Sequence, residues 1–445
     1  MKNLLWMTLF ILTISVMASS GNPKYIFLFI GDGMATPQRM MAEEYATKTG
    51  YGELLINHFP CHATTRTCSA SSLVTDSAAA GTAIACGEKT NNGCIGMDVG
   101  ATRKLVSVAE VAHKAGRKVG IITSVTINHA TPAAFYAHRA KRSQYYNIGL
   151  DLIHSDFEFF GGGGFGGIVD DKSSAEYQGD LYTLAEKKGY RVVEGRDALN
   201  ALTKKDKKVL ARGGFGALPY TNDANKEVPT LEEFTAKGIE LLDNPNGFFM
   251  MIEGGSVDWA GHGNDAATNI TEVIALDKTV KRAFDFAKKH PDETLIVVTG
   301  DHETGGMTMG FSGTGYALYV ERLAHQKASI GQFNLKLIQE QMKNMDMTFE
   351  DAKKLLHQYF GFEYTGTSPM LLTKSELELL KQAFEKRKLA ETARMIINNK
   401  AGIGWTSHAH TALPVLTTSY GQKSELFTGF FDNTDISKKL KSLLK

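Results

Sequence analysis

Lys24-Tyr-Ile-Phe-Leu-Phe-Ile-Gly-Asp-Gly-Met34 decides the fold. After its lysine the run is continuously apolar, aromatic and β-branched, as expected of a strand covered on both faces. It breaks at Gly31-Asp-Gly, and a helical pattern begins at about Pro37. The same alternation recurs downstream. Lys118-Val-Gly-Ile-Ile-Thr123, Gly247-Phe-Phe-Met-Met-Ile252, Thr294-Leu-Ile-Val-Val-Thr299 and Val415-Leu-Thr-Thr-Ser419 read as strands. Residues 105–115, 142–153, 265–289 and 434–444 read as helices, and 157–167, rich in glycine, as a turn. Apolar strands alternating with helices predict an α/β fold: a doubly wound, mostly parallel central sheet flanked by helices. From about 332 to 399 the sequence turns charged and helical, which predicts a helical insertion before the last strand. The chain thus divides into a first α/β part over 21–312, a helical subdomain over 313–400 and a closing α/β part over 401–445.

In an open sheet of this kind, ligands bind beyond the carboxyl ends of the strands. Three of the strands end alike. The first reaches Asp32. The second reaches Glu253 and then Gly254-Gly-Ser-Val-Asp258-Trp-Ala-Gly-His262. The third reaches Gly300-Asp301-His302-Glu303. Asp258 and His262 are four apart, so one helical turn or a compact loop could aim both at one ion. Carboxylate and neutral imidazole are what zinc accepts. Any one ending reads equally well as a turn or a surface pair. Three on one sheet edge favour a metal site.

Val74-Thr-Asp-Ser-Ala-Ala-Ala-Gly-Thr-Ala83 places Ser77 in the first turn of a helix, where the dipole and unpaired N–H groups favour an anion. Asp76 and Ser77 are also ordinary helix caps, and the stretch alone fits that reading.

Composition restrains the alternatives. The chain has 445 residues, 43% apolar and 22% charged, with a formal net charge of +1. No basic block argues for nucleic acid or a membrane surface. Met1-Lys-Asn, an apolar run from Leu4 to about Met17 and then Ala18-Ser-Ser-Gly read as a secretory signal over 1–20, too short for a comfortable membrane span. That implies export, periplasmic or extracellular, where disulfides persist. Cys61, Cys68, Cys86 and Cys94 flank the Ser77 stretch, and local pairs Cys61–Cys68 and Cys86–Cys94 are one of three connectivities.

These residues carry a family resemblance. Ile30-Gly-Asp-Gly-Met34, Thr75-Asp-Ser-Ala-Ala-Ala-Gly-Thr-Ala83, His129-Ala-Thr-Pro-Ala-Ala134 with Arg142 downstream, Glu253 with Asp258 and His262, Thr299-Gly-Asp-His302, and His410-Thr-Ala412 occur in order over nearly the whole chain. The chain resembles the alkaline phosphatases. The resemblance implies hydrolysis of small phosphate monoesters through a phosphoserine, with two zinc ions and a third ion, usually magnesium. Asp258, His262 and His410 would hold one zinc. Asp32, Asp301 and His302 would hold the other, with Ser77 as exchangeable ligand. Asp32, Thr131 and Glu253 would hold the third ion. His408 competes with His410, and the Thr-Ala that follows favours His410. His129 and Trp259 stand where some relatives carry an acid and a lysine, so His129 would bind the third metal or only hydrogen-bond, and Trp259 takes the place of a phosphate-contacting cation. Arg142 would bind two phosphate oxygens with its planar fork. Asp76 would position Arg142 or the serine loop. Relatives are commonly dimers, which implies a homodimer. The alternative is a phosphodiesterase or another phosphoryl-transfer enzyme of the same superfamily.

Overall fold

The structure, a computed structural model, describes residues 21–444. The leader expected over 1–20 lies outside them. A ten-stranded sheet organises the described residues. Eight of its strands are β1 (Tyr25–Gly31), β2 (Cys61–Arg66), β3 (Lys118–Thr126), β4 (Phe159–Gly163), β5 (Arg191–Glu194), β6 (Val209–Arg212), β7 (Phe248–Gly254) and β8 (Thr294–Gly300). Val415–Gly421 and Gly429–Asp432 complete it. The spatial order is Gly429–Asp432, β2, Val415–Gly421, β8, β1, β7, β3, β4, β6, β5. Val415–Gly421 runs antiparallel to both its neighbours, and the remaining pairings are parallel.

β1 shows why its sequence is apolar throughout. Side chains alternate between faces. Tyr25, Phe27 and Phe29 enter one hydrophobic cluster with Met41 and Ala42 of α1 (Thr36–Thr49) and Ile270 and Val273 of the helix Ala266–Ala287. Ile26, Leu28 and Ile30 enter a second cluster, with Ala78 and Ile84 of α2 (Ser77–Cys86) and Ile436 and Leu440 of the helix Thr434–Ser442. Helices therefore cover both faces, as doubly wound sheets require.

Helices Ile330–Lys343, Phe349–Phe360, Lys374–Glu385 and Leu389–Ala401 form the helical stretch. A two-stranded ribbon, Thr308–Met309 against Ile403–Gly404, brings its ends together. Phe333, Leu356, Leu380 and Ile396 join the first hydrophobic cluster, so these helices share a core with the sheet.

Several expectations need correction. Residues 159–163 are a buried strand, not a turn: Phe159 and Phe160 pack into opposite clusters, and a side chain at Gly162 (φ +147°) would strike the Thr123 carbonyl of the adjacent strand. Glycine is there for close backbone approach. Helix starts shift to Val108 and Tyr145, which leaves Arg142 outside any helix. Two sheet strands, not one, follow the helical stretch. The cysteines are free: Cys86 and Cys94 are buried thiols and Cys61 and Cys68 partly exposed ones, so the local pairs are not formed.

In register, Gly31 lies between Gly254 and Gly300, level across three adjacent strands. A Cβ at Gly300 would overlap the Met34 carbonyl. Gly300→Ala is expected to lower unfolding stability by about 1–3 kcal/mol. Gly331→Ala, with only Ser329 Oγ near its added methyl, is expected to be neutral or stabilising. Urea denaturation midpoints check both.

Candidate active site and metal centre

The glycine row ends the central strands at one level, and the chain then turns out of the sheet. Asp32 follows Gly31, Asp301 follows Gly300, and Glu253 sits one residue before Gly254, opposite Ile30 and Thr123. Two short segments complete the ring. The helix Ser256–His262 presents Asp258 and His262 one turn apart. His410 lies on a short strand, His410–Thr411, paired with Glu303–Thr304.

Three groups of potential metal ligands result: Asp258, His262 and His410; Asp32, Asp301 and His302; and Asp32, His129 and Glu253. Within each group the ligand atoms lie within 4.8 Å of one another. Asp32 belongs to two groups. The first two stand back to back, with the His302 and His410 rings stacked 3.6 Å apart. His408 stays outside: its Nδ1 lies 3.0 Å from the His262 carbonyl.

The chemistry of these groups calls for cations. His262 Nδ1 donates to the His408 carbonyl at 2.6 Å, and His410 Nδ1 donates to the Thr75 carbonyl at 2.8 Å. Carbonyls only accept, so in each neutral ring the lone pair falls on Nε2. The two Nε2 atoms face each other at 3.1 Å, with Asp258 oxygens 3.4 Å from each. Lone pairs so placed need a cation between them. His302 Nε2 is likewise ringed by Ser77 Oγ at 3.2 Å and by Asp32 Oδ1 and Asp301 Oδ2 at 3.3 Å. Asp32 Oδ1, Asp301 Oδ2 and Glu253 Oε1 are buried with no hydrogen-bond partner among the described residues.

Burial and mutual repulsion show in the proton affinities. Burial, then the charges of Asp301, Asp258 and Glu253, push Asp32 well above the usual carboxylate range. Burial, joined by the Asp258 charge, raises Asp301 to about 8. Burial raises Glu253 to about 7 against the hydrogen bond from Thr123. Asp258 goes the other way. Burial opposes its charge, but His410, 3.4 Å away, and then His302 and His262 hold it low. These are metal-free values; a bound dication inverts the balance.

Asp76 is the N-cap of α2, and Ser77 is the first helical residue. One Asp76 oxygen accepts from Ala79 N at 3.0 Å, as a cap should. The other accepts from Arg142 Nη1 at 3.0 Å and from Gly93 N at 2.9 Å. Arg142 Nη2 lies 3.3 Å from His129 Nε2. A guanidinium cannot accept, so that nitrogen carries the His129 lone pair. Burial, then the Arg142 charge, lowers His129 to about 4 and keeps it neutral. Trp259 packs edge-on against the His129 ring at 6.0 Å and is 37% exposed.

The structure thus brings together every residue that the resemblance assigns to the site and leaves His408 outside it. Three threonines hold the carboxylates, and no motif marks two of them. Thr131 Oγ1 donates to Asp32 Oδ2 at 3.1 Å. Thr304 Oγ1 donates to Asp258 Oδ1 at 2.5 Å, and Thr123 donates to Glu253. Thr131 belongs to the His129-Ala-Thr-Pro motif, whereas Thr123 lies in a strand and Thr304 follows Glu303, and nothing in the sequence marks either. Glu303, next to His302, turns away: it accepts from Gln38 Nε2 at 2.6 Å, Thr411 Oγ1 at 2.5 Å and two backbone N–H groups.

Comparison with known proteins agrees with this geometry. The family model described as alkaline phosphatase matches residues 23–445. Alkaline phosphatase 3 of Bacillus subtilis (strain 168) is 31% identical over 437 residues, covering 94% of this chain and 88% of that protein. The crystal structure of a cold-active alkaline phosphatase from a psychrophilic Shewanella species superposes with a TM-score of 0.82 at 29% identity, covering 95% of this chain and 100% of that one. A histidine-to-aspartate variant of the alkaline phosphatase from the Antarctic bacterium TAB5, described with magnesium bound in its M3 site, gives a TM-score of 0.66 at 25% identity, covering 95% and 98%. The chain belongs to the alkaline phosphatase family.

Proposed function

We propose that this enzyme hydrolyses phosphate monoesters through a phosphoserine on Ser77, after export from the cell, with two zinc ions and a magnesium ion as cofactors. The observation that carries the reading is the position of Ser77 Oγ: at a helix start, 3.2 Å from His302 Nε2 within the Asp32–Asp301–His302 group, beside an arginine tied to its own cap residue. Asp258, His262 and His410 would hold one zinc, and Asp32, Asp301 and His302 the other. Asp32, Glu253 and Thr131 would hold the magnesium, with His129 at its edge. A TAB5 variant with a histidine replaced by aspartate is described with magnesium in its M3 site, which supports a third metal position here. When bound, the ions supply Lewis acidity that favours the serine alkoxide and neutralises charge on the phosphoryl and leaving oxygens.

The protein's own residues do the rest. Ser77 Oγ gives up its proton and attacks phosphorus in line. The bond from phosphorus to the ester oxygen breaks, and the alcohol leaves with a proton. The positive end of the α2 dipole lies under the transferred group. Arg142, held by Asp76 on one nitrogen and facing His129 with the other, presents its fork to two non-bridging oxygens. Water then attacks the phosphoserine from the opposite side, the phosphorus–Oγ bond breaks, and phosphate and a free serine are regenerated.

Among the described residues no helix is long and apolar enough to cross a membrane. Export rests on the N-terminal signal, and a homodimer on the resemblance to dimeric relatives.

Ser77→Ala is expected to cut turnover of p-nitrophenyl phosphate on the order of 10³–10⁶-fold, as loss of a nucleophile does, while zinc content measured by atomic emission stays at the wild-type level. Substantial turnover by this variant would rule out the phosphoserine. A chelator should abolish wild-type activity and zinc should restore it; activity that survives metal stripping would refute the metal assignment.

Arg142→Ala is expected to lower monoester kcat/KM by about 10²–10³-fold, the cost of one lost transition-state donor. Diester turnover should fall far less, because a diester offers one fewer charged oxygen. Equal losses on p-nitrophenyl phosphate and bis-p-nitrophenyl phosphate would favour the diesterase alternative.

A further inference from the structure

The helices between 330 and 401 contribute no residue to the three ligand groups, yet they fasten the turn that follows one of them. The helix Ser256–His262 ends at His262, and the next helix begins at Ala266. The three residues between are each held from outside. The Gly263 carbonyl accepts from Arg394 Nη1. The Asn264 carbonyl accepts from Asn398 Nδ2 at 2.8 Å. Asp265 Oδ1 accepts from Gln326 Nε2 at 2.7 Å, and its Oδ2 accepts from the Ile330 N–H at 2.9 Å. Arg394 and Asn398 lie one turn apart on the helix Leu389–Ala401.

The turn needs such support. Asn264 has φ +48°, a left-handed conformation that costs a non-glycine residue about 1 kcal/mol or more. Its side chain donates to the Ser407 carbonyl at 2.9 Å. Beside it, His262 Nδ1 donates to the His408 carbonyl and His408 Nδ1 reaches back to the His262 carbonyl. The turn therefore sets the distance between the Asp258–His262 helix and the segment that carries His410. Without the bonds from Arg394 and Asn398, the Gly263 and Asn264 carbonyls lose their anchors, directly after His262, the most exposed side chain of its group.

We infer that Arg394 and Asn398 are positioning residues for the Asp258–His262–His410 group, and that they set its affinity for zinc. This rests on the assignment of that group as a zinc site. Ligand-orienting contacts of this kind are typically worth about 10–100-fold in metal affinity.

The test is competition for zinc between the full-length protein and a chromophoric chelator, with the unfolding midpoint of the metal-free protein measured alongside. Asn398→Ala and Arg394→Ala are expected to weaken one zinc site by about 10–100-fold. Turnover would be lost at limiting zinc and recovered at saturating zinc, with KM little changed. Arg394→Lys, which keeps a donor, should recover part of the affinity. Lys400→Ala is the control. It lies on the same helix and bonds Glu376 and the Leu371 carbonyl, not the turn, so it should leave zinc affinity unchanged. Zinc affinities for Asn398→Ala and Arg394→Ala that match Lys400→Ala would overturn the inference. His262→Ala separates the two levels. If it too leaves zinc affinity unchanged, the ligand assignment fails. If it weakens zinc while the two helix variants do not, the ligand stands and the positioning role falls.

Discussion

Four carboxylates, Asp32, Glu253, Asp258 and Asp301, sit at most 3% exposed at one end of the sheet. Like charges in a medium of low dielectric repel strongly, and isolated buried carboxylates neutralise if they can. Everything around this cluster serves to hold it against that repulsion. Backbone N–H groups of Gly33 and His302 donate to Asp301 at 3.0 and 2.9 Å. Thr123, Thr131 and Thr304 each donate a hydroxyl to one of the other three. These bonds fix the carboxylates but cannot cancel their charge, because the hydroxyls and amides are neutral. Cations can, which is why the same acids read as a strained cluster without metal and as a ligand set with it.

The sheet makes the cluster possible. Parallel strands deliver their carboxyl ends to one side, and in-register pairing brings β7, β1 and β8 to the same level there. Gly31, Gly254 and Gly300 let the chain leave the sheet without side chains in the way, so the acids around this level converge instead of splaying.

Much of this was legible in the sequence, for a physical reason. A strand covered on both faces must be apolar at every position, so an acid at its end cannot be hidden by noise; Asp32, Glu253 and Asp301 stand out for that reason. Asp258 and His262 announce themselves by helical spacing. What could not be read is what depends on register between distant segments. Thr304 and Asp258 meet across 46 residues, and Asn398 and Asn264 across 134. A threonine in a strand or an asparagine in a helix carries no mark of such a contact. The glycines of 159–163 misled for the opposite reason: they looked flexible, but the sheet uses them for their small size.

Asp76 ends with a meaning beyond its cap. Its two oxygens tie the start of the serine helix to the arginine, so the guanidinium takes its position from the helix that carries the serine. Their separation is then a single inherited dimension. Loop changes elsewhere can tilt or reshape the mouth of the site without altering the gap in which a phosphoryl group must fit. The core span thus stays fixed while the rim remains free to diversify.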